Sequence, residues 1–209
     1  MKLWDKNNSV NEKIIEFTVG DDRLNDLYLI KYDVKASISH AKMLYRSNLL
    51  SEIECDKIIN ILNEILSQAE AGELKIEREF EDMHSKIEYI LTDKLGDIGK
   101  KIHTARSRND QVLVSIQLYL IDELNFIKTE VKSLFDLLIN LAKKNKNIIM
   151  PGYTHMRAAM PSSFGLWFSA YAEILIDDVI SLNSTIEIIN QNTLGSAAGY
   201  GTSFNIDRD

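Results

Sequence analysis

A run of nine residues, His103-Thr104-Ala105-Arg106-Ser107-Arg108-Asn109-Asp110-Gln111, gathers more chemistry than any other stretch of this chain. It holds two guanidinium groups, several uncharged hydrogen-bonding side chains and one carboxylate. Directly after it the chain turns abruptly apolar, with Val112, Leu113, Val114 and Ile116, where a long helix begins. A helix start offers free N–H groups and partial positive charge. An arginine adds a planar fork that matches a carboxylate. Together these groups suit a small ligand bearing more than one carboxylate. The alternative is a solvated loop whose arginines pair with Asp110 or with a neighbouring helix, and local chemistry alone leaves both open.

Three further polar clusters could act. Pro151-Gly152-Tyr153-Thr154-His155-Met156-Arg157 places a histidine beside a threonine in a tight loop, suited to proton transfer or anion binding. Leu194-Gly195-Ser196-Ala197-Ala198-Gly199-Tyr200-Gly201-Thr202-Ser203 is rich in small residues and permits close backbone approach. It does not follow a strand, which argues against a nucleotide-binding glycine motif. Glu81-Asp82-Met83-His84-Ser85-Lys86-Ile87-Glu88 puts His84 and Glu88 on one helix face, where an ordinary surface pair is the plain reading.

The elements that must position these clusters are helices. Nine glycines and two prolines in 209 residues leave long uninterrupted stretches. Residues 1–22 read as irregular, with Asn7-Asn8-Ser9 and Gly20-Asp21-Asp22 as turns. Helical periodicity predicts a helix over Arg23–Ser47. Ser51 and Glu54 form a capping box for a second helix that ends near Gly72. A third spans Phe80–Leu95, stopped by Gly96. Strand-like alternation is nowhere continuous, so the expected class is all-α. From Gln111 to Lys144 there is neither Gly nor Pro, which implies a helix of roughly 50 Å. A second long helix is expected from Pro161, a favoured first helical residue, to about Asn192. A short loop between the two predicts an antiparallel hairpin. The resulting organisation is a helical N-terminal domain over residues 1–110, then the first long helices of a bundle over 111–209.

The apolar residues of that hairpin cover more than one face of each helix. Two helices cannot bury each other so completely, so partner helices are expected, from further chain or from other subunits. Net charge is −7, which argues against nucleic acid. Cys55 is alone, so no disulfide or thiolate metal site is expected, and His40, His84, His103 and His155 lack metal-ligand spacing. No secretory signal or membrane-length apolar run is seen, and a soluble cytoplasmic protein is the expectation.

The order of the clusters is more specific than any one of them. His103–Gln111, a long helix, Pro151–Arg157, a second long helix and Leu194–Thr202 together resemble the argininosuccinate lyase family of the fumarase/aspartase superfamily. The Asp33–Leu44 segment and Asp82-Met83-His84 with Glu88 resemble it too, and Ser107-Arg108-Asn109-Asp110-Gln111 is the most specific element. The resemblance implies a homotetrameric lyase without a cofactor, whose active sites are shared between subunits. It would cleave argininosuccinate to arginine and fumarate by β-elimination. Ser107, Arg108, Asn109 and Thr154 match the family's carboxylate-binding residues, and His155 its active-site histidine. Ser37 and His84 match further substrate-pocket positions; Thr104 and Arg106 would shape the pocket or its loop.

This sequence also departs from the family pattern. Ala105 replaces a glycine, Arg157 adds a charge beside His155, and Asp5-Lys6 interrupts the N-terminal motif. The family's Gly-Ser-Ser loop, which carries the serine base, is expected beyond residue 209. Two alternatives follow: a related lyase for another fumarate adduct, and a non-catalytic structural relative.

Overall fold

The computed structural model describes residues 12–208. The Asn7-Asn8-Ser9 turn and the N-terminal motif around Asp5 lie outside them. The chain forms α1 (Glu12–Val19), α2 (Asp22–Arg46), α3 (Glu52–Glu70), α4 (Met83–Leu95), α5 (Asp97–Lys100) and a 3-10 turn (Lys101–His103). Then follow α6 (Arg108–Asn145), β1 (Ile149–Thr154), β2 (Arg157–Ser163) and α7 (Phe164–Ile189). The helical class is as the sequence implied.

Contacts divide the chain into two compact units, one of residues 1–119 with 192–209 and the other of 120–191. The core of the first unit lies among α2, α3 and α4. Ile30, Val34, Leu44, Ile58, Leu62 and Leu91 are its centre, all at most 1% exposed. Local chemistry fixes the helix ends. Ser51 accepts from the Glu54 N–H at 3.3 Å and Glu54 accepts from the Ser51 N–H at 3.0 Å, the expected capping box. Asp82 caps α4 by accepting from the Ser85 N–H at 2.7 Å. Gly96 ends α4 at φ +60°. Gly99 then has no room for a Cβ, which would collide with the Leu91 carbonyl, so α5 folds back tightly on α4.

In the second unit the later part of α6 and α7 run antiparallel. Lys128 Nζ donates to Asn183 Oδ1 at 2.7 Å. Near the other end, a Cβ on Gly165 would stand 2.6 Å from the Lys146 Cα and 3.0 Å from the Ala142 carbonyl oxygen. Only a glycine lets α7 begin so close to the end of α6. Much of the apolar surface in this unit is uncovered, including Phe126, Leu137, Ile174 and Ile180, each more than half exposed. No helix among the described residues is long and apolar enough to cross a membrane.

Three sequence expectations need correction. Residues 12–19 are helix α1 rather than irregular, since no glycine or proline interrupts them before Gly20. The helices of the second unit are joined by a two-stranded antiparallel sheet, not a short loop. Its alternation was disguised because Pro151 pairs with Pro161, and because the register slips after Gly152. Pro161 therefore belongs to β2, and α7 starts at Phe164, where the Ser163 hydroxyl accepts from the Leu166 N–H at 3.1 Å. Finally, α5 and the 3-10 turn had no sequence expectation at all.

Candidate active site

Three helices of the first unit each carry a polar stripe on an otherwise buried face. On α2 it is Asp33, Ser37 and His40, all buried. On α4 it is His84, Ser85 and Glu88, and on α6 Gln111 and Ser115, buried likewise. Buried polar groups need partners, and these stripes supply one another. Gln111 Nε2 donates to Asp33 Oδ1 at 3.0 Å, and Ser115 Oγ donates to the same oxygen at 3.4 Å. His84 Nδ1 lies 3.1 Å from Asp33 Oδ1, close in distance but outside good hydrogen-bond angles. Burial works to raise the pKa of Asp33, yet His84, the Arg106 charge and Gln111 together hold it below the usual carboxylate value. His40 is different. Burial, aided by the Arg106 charge, pushes its pKa down to about 3. It is therefore neutral near pH 7, and its Nε2–H donates to the Thr104 carbonyl at 3.0 Å.

The arginines divide their work. Arg106 is buried, and its Nη1 donates to Ser37 Oγ at 2.9 Å. Arg108 stands at the rim with its side chain 19% exposed. Its Nη1 reaches Gln111 Oε1 at 2.9 Å and Glu88 Oε1 at 3.4 Å, and its Nε is 3.4 Å from Asp82 Oδ2. Glu88 also takes His103 Nδ1 at 3.0 Å. Burial raises the Glu88 pKa, but His103, Arg108 and Arg106 outweigh it and leave the carboxyl below its ordinary value. So the arginines do pair with neighbouring helices, as the plainer reading held: Arg106 with Ser37 of α2, and Arg108 with Glu88 of α4 and its capping residue Asp82, rather than with Asp110. Asp110 is 1% exposed. Its Oδ1 accepts from the Ser107 N–H at 2.8 Å, and its Oδ2 from the Gly195 and Ala197 N–H groups at 3.1 and 2.9 Å.

The structure thus brings together Ser37, His84, Ser107, Arg108 and Asn109, along with Thr104 and Arg106. Ser107 and Arg108 are partly exposed and Asn109 is exposed, whereas Ser37 and His84 are fully enclosed. His84 and Glu88 are no surface pair, since both are buried. Thr154 and His155 belong to the other unit, both exposed, at the tip of the β1–β2 hairpin. His155 and Met156 form a two-residue turn with φ of +48° and +64°, the geometry that suits the right-handed twist of paired strands. Neither is glycine, so the tip holds backbone strain. Asp33, Gln111 and Ser115 had no assigned role in the sequence reading, and Asp110 entered it only as a candidate partner of the arginines. Their signal was present: polar residues four apart, on helices whose neighbouring positions are core.

The family model described as Lyase matches residues 14–209. The chain belongs to this lyase family. It is 53% identical over 208 residues to the argininosuccinate lyase of Phocaeicola vulgatus, covering 100% of this chain and 47% of that protein. It is 47% identical to the argininosuccinate lyase of Thermotoga neapolitana, covering 100% of this chain and 52% of the other. The chain therefore spans about half the length of the curated relatives it matches. Among solved structures, an EDDS lyase variant with bound fumarate aligns at TM-score 0.78 and 23% identity, over 98% of this chain and 40% of that one. A class II fumarase from Schistosoma mansoni aligns at TM-score 0.77 and 18% identity, over 100% of this chain and 47% of the other. At those identities the likeness is one of fold.

Proposed function

We propose that this lyase-family chain serves the β-elimination of argininosuccinate to arginine and fumarate, and that it contributes the carboxylate-binding side of the site. The observation that carries the reading is the run Ser107-Arg108-Asn109, presented at the start of α6 with Arg108 at the surface rim and a buried polar scaffold beneath it. The sequence identity to argininosuccinate lyases supports the choice of substrate.

The reaction removes a proton from the carbon beside a carboxylate. The electron pair left there forms the double bond of fumarate as the C–N bond breaks, and the departing guanidino nitrogen takes a proton. Negative charge gathers on the carboxylate as the proton leaves. Donors fixed at that carboxylate stabilise the developing charge more than the ground state. Arg108, Ser107, Asn109 and Thr154 are the donors in this account, and His155 assists proton transfer. Ser37 and His84 form the inner wall, held by Arg106 and Asp33. The working form is a cytoplasmic homotetramer in which neighbouring subunits complete each site. Exposed apolar residues such as Phe126 and Ile180 support that assembly.

The test is fumarate release from argininosuccinate by the whole tetrameric enzyme, followed by ultraviolet absorbance. Steady cleavage is expected. No fumarate from an assembled tetramer overturns the reading, and release from another succinyl amine instead reassigns the substrate. His155→Asn should slow turnover by roughly 10²- to 10⁴-fold with little change in the urea midpoint, because the residue is exposed on a hairpin tip. Arg108→Lys should raise KM at least about tenfold, because lysine lacks the two-pronged fork. An unchanged KM would confine Arg108 to structure.

A further inference from the structure

We propose that Asp110 is a positioning residue that locks the Ser107–Asn109 run to the Thr193–Ala197 turn, so that the two segments present one continuous binding surface. The inference rests on the functional reading above for its kinetic test, but its geometry stands apart from it.

Asp110 lies in the first turn of α6 and is 1% exposed. A carboxylate so enclosed needs compensation for lost hydration. Here the compensation comes from three backbone N–H groups. One oxygen takes the Ser107 N–H at 2.8 Å, fixing the residue that precedes Arg108. The other takes the N–H groups of Gly195 and Ala197 at 3.1 and 2.9 Å, residues that follow it by more than eighty positions. Two amides converge on one oxygen because the turn is left-handed at both, with φ of +92° at Gly195 and +50° at Ala197. The two amides, one residue apart, form a small concavity of the kind that holds anions, and Asp110 fills it.

The opposite side of the turn is held too. Arg208 Nε donates to the Leu194 carbonyl at 3.1 Å and its Nη2 to the Asn192 carbonyl at 3.2 Å. The segment is thus gripped through its amides by a carboxylate and through its carbonyls by a guanidinium. At φ +92° Gly195 disfavours any side chain, and a Cβ there would stand 3.0 Å from the side chains of Arg208 and Ile206, which would have to give way. Thr193 Oγ1 adds a third tie, donating to Gln117 Oε1 at 3.2 Å two turns further along α6. The Asp110 and Gln117 ties both run between α6 and one turn, and the part of α6 they meet begins with the proposed carboxylate donors.

Asp110→Asn tests this in the whole enzyme. An asparagine offers one acceptor oxygen, and its NH₂ group faces either Ser107 or the turn, whose groups there are themselves donors. Amide hydrogen exchange over residues 193–199 should accelerate at least tenfold while the α2–α4 core keeps its protection. KM for argininosuccinate should rise about tenfold, with a smaller change in kcat, and Asp110→Glu should recover part of the loss. Unchanged exchange overturns the tie. Faster exchange with unchanged KM overturns the positioning role and leaves a purely structural one. If the parent enzyme does not cleave argininosuccinate, the functional reading fails separately. Fumarate binding by calorimetry then decides: tenfold weaker binding in the variant supports the proposal, and equal binding, or none in the parent, overturns it. Should Asp110→Asn fail to fold, Arg208→Gln loosens the same turn from its exposed side. It should give faster exchange over 193–199 and a KM increase of about threefold; no increase overturns the proposal.

Discussion

Ala105 adopts φ +60°, at the position where the sequence resemblance leads one to expect glycine. A left-handed backbone costs a residue with a Cβ about 1–2 kcal/mol. Glycine removes that strain but gains freedom in the unfolded chain, which returns about 0.4–1 kcal/mol. Ala105→Gly should therefore stabilise the first unit by about 0.5–1 kcal/mol, seen as a modest rise in the urea midpoint or a Tm increase of a few degrees. A lower midpoint would mean that Ala105 makes packing contacts outweighing its strain. The residue sits one position before Arg106, so a softer loop also gives Arg106 and Ser37 more freedom, and a small loss of turnover beside the gain in stability is the expected accompaniment. Residue chemistry was largely legible at this scale: the arginines, Ser107, Asn109 and the histidines declare themselves by type. What they touch was not. Asp33 meets Gln111 across 78 positions, and no local pattern encodes such a meeting.

At the scale of elements, Gly165 is the sharpest case. It sits in the first turn of α7, where the helix backbone passes within contact of Lys146 and Ala142. Gly165→Ala improves helix propensity by about 1 kcal/mol, yet its methyl must displace backbone rather than a flexible side chain. Displacement dominates, because overpacking against fixed atoms costs about 1–3 kcal/mol. The expected result is net destabilisation of the second unit, measured as faster amide exchange in 164–175. Slower exchange would show that the two helices can part at no cost. The long helices were readable because apolar spacing runs unbroken for many turns. The hairpin between them was not, since two prolines, a glycine and a bulge erase the two-residue alternation by which strands are recognised. Helix α1 was missed because eight residues hold too few turns to establish a period.

For the molecule as a whole, acid is the informative perturbant. His40 has its pKa lowered to about 3. The unfolded chain binds its proton near pH 6.5, so stability is full above that value and declines as pH falls below it, by about 1.4 kcal/mol per unit at most. Asp33 and Glu88 are also held below their ordinary values. Their contribution is present above the unfolded carboxylate pKa, near 4, and is lost as pH drops through the lower folded values. Two overlapping stages of acid loss follow, a histidine stage that runs from about pH 6.5 down to about 3 and a carboxylate stage that joins it below about pH 4. Urea midpoints across this range should fall in that order. His40→Gln keeps a neutral donor for Thr104 and should flatten the first stage alone; an unaltered slope would exclude His40 as its source. Net charge and composition gave the broad class of the molecule, but they say nothing of this behaviour, which depends on which titratable groups end up enclosed.

The grip of Asp110 on main-chain amides has an evolutionary consequence. Amides are the same in every residue but proline, so the clamp is blind to the side chains of the turn it holds. Ser196, Ala198 and Tyr200 can drift without loosening the scaffold, while Asp110 and Gly195 stay frozen. Selection for a new substrate therefore finds its raw material in those three positions, and a saturation library should record tolerance there beside near-total intolerance at 110 and 195.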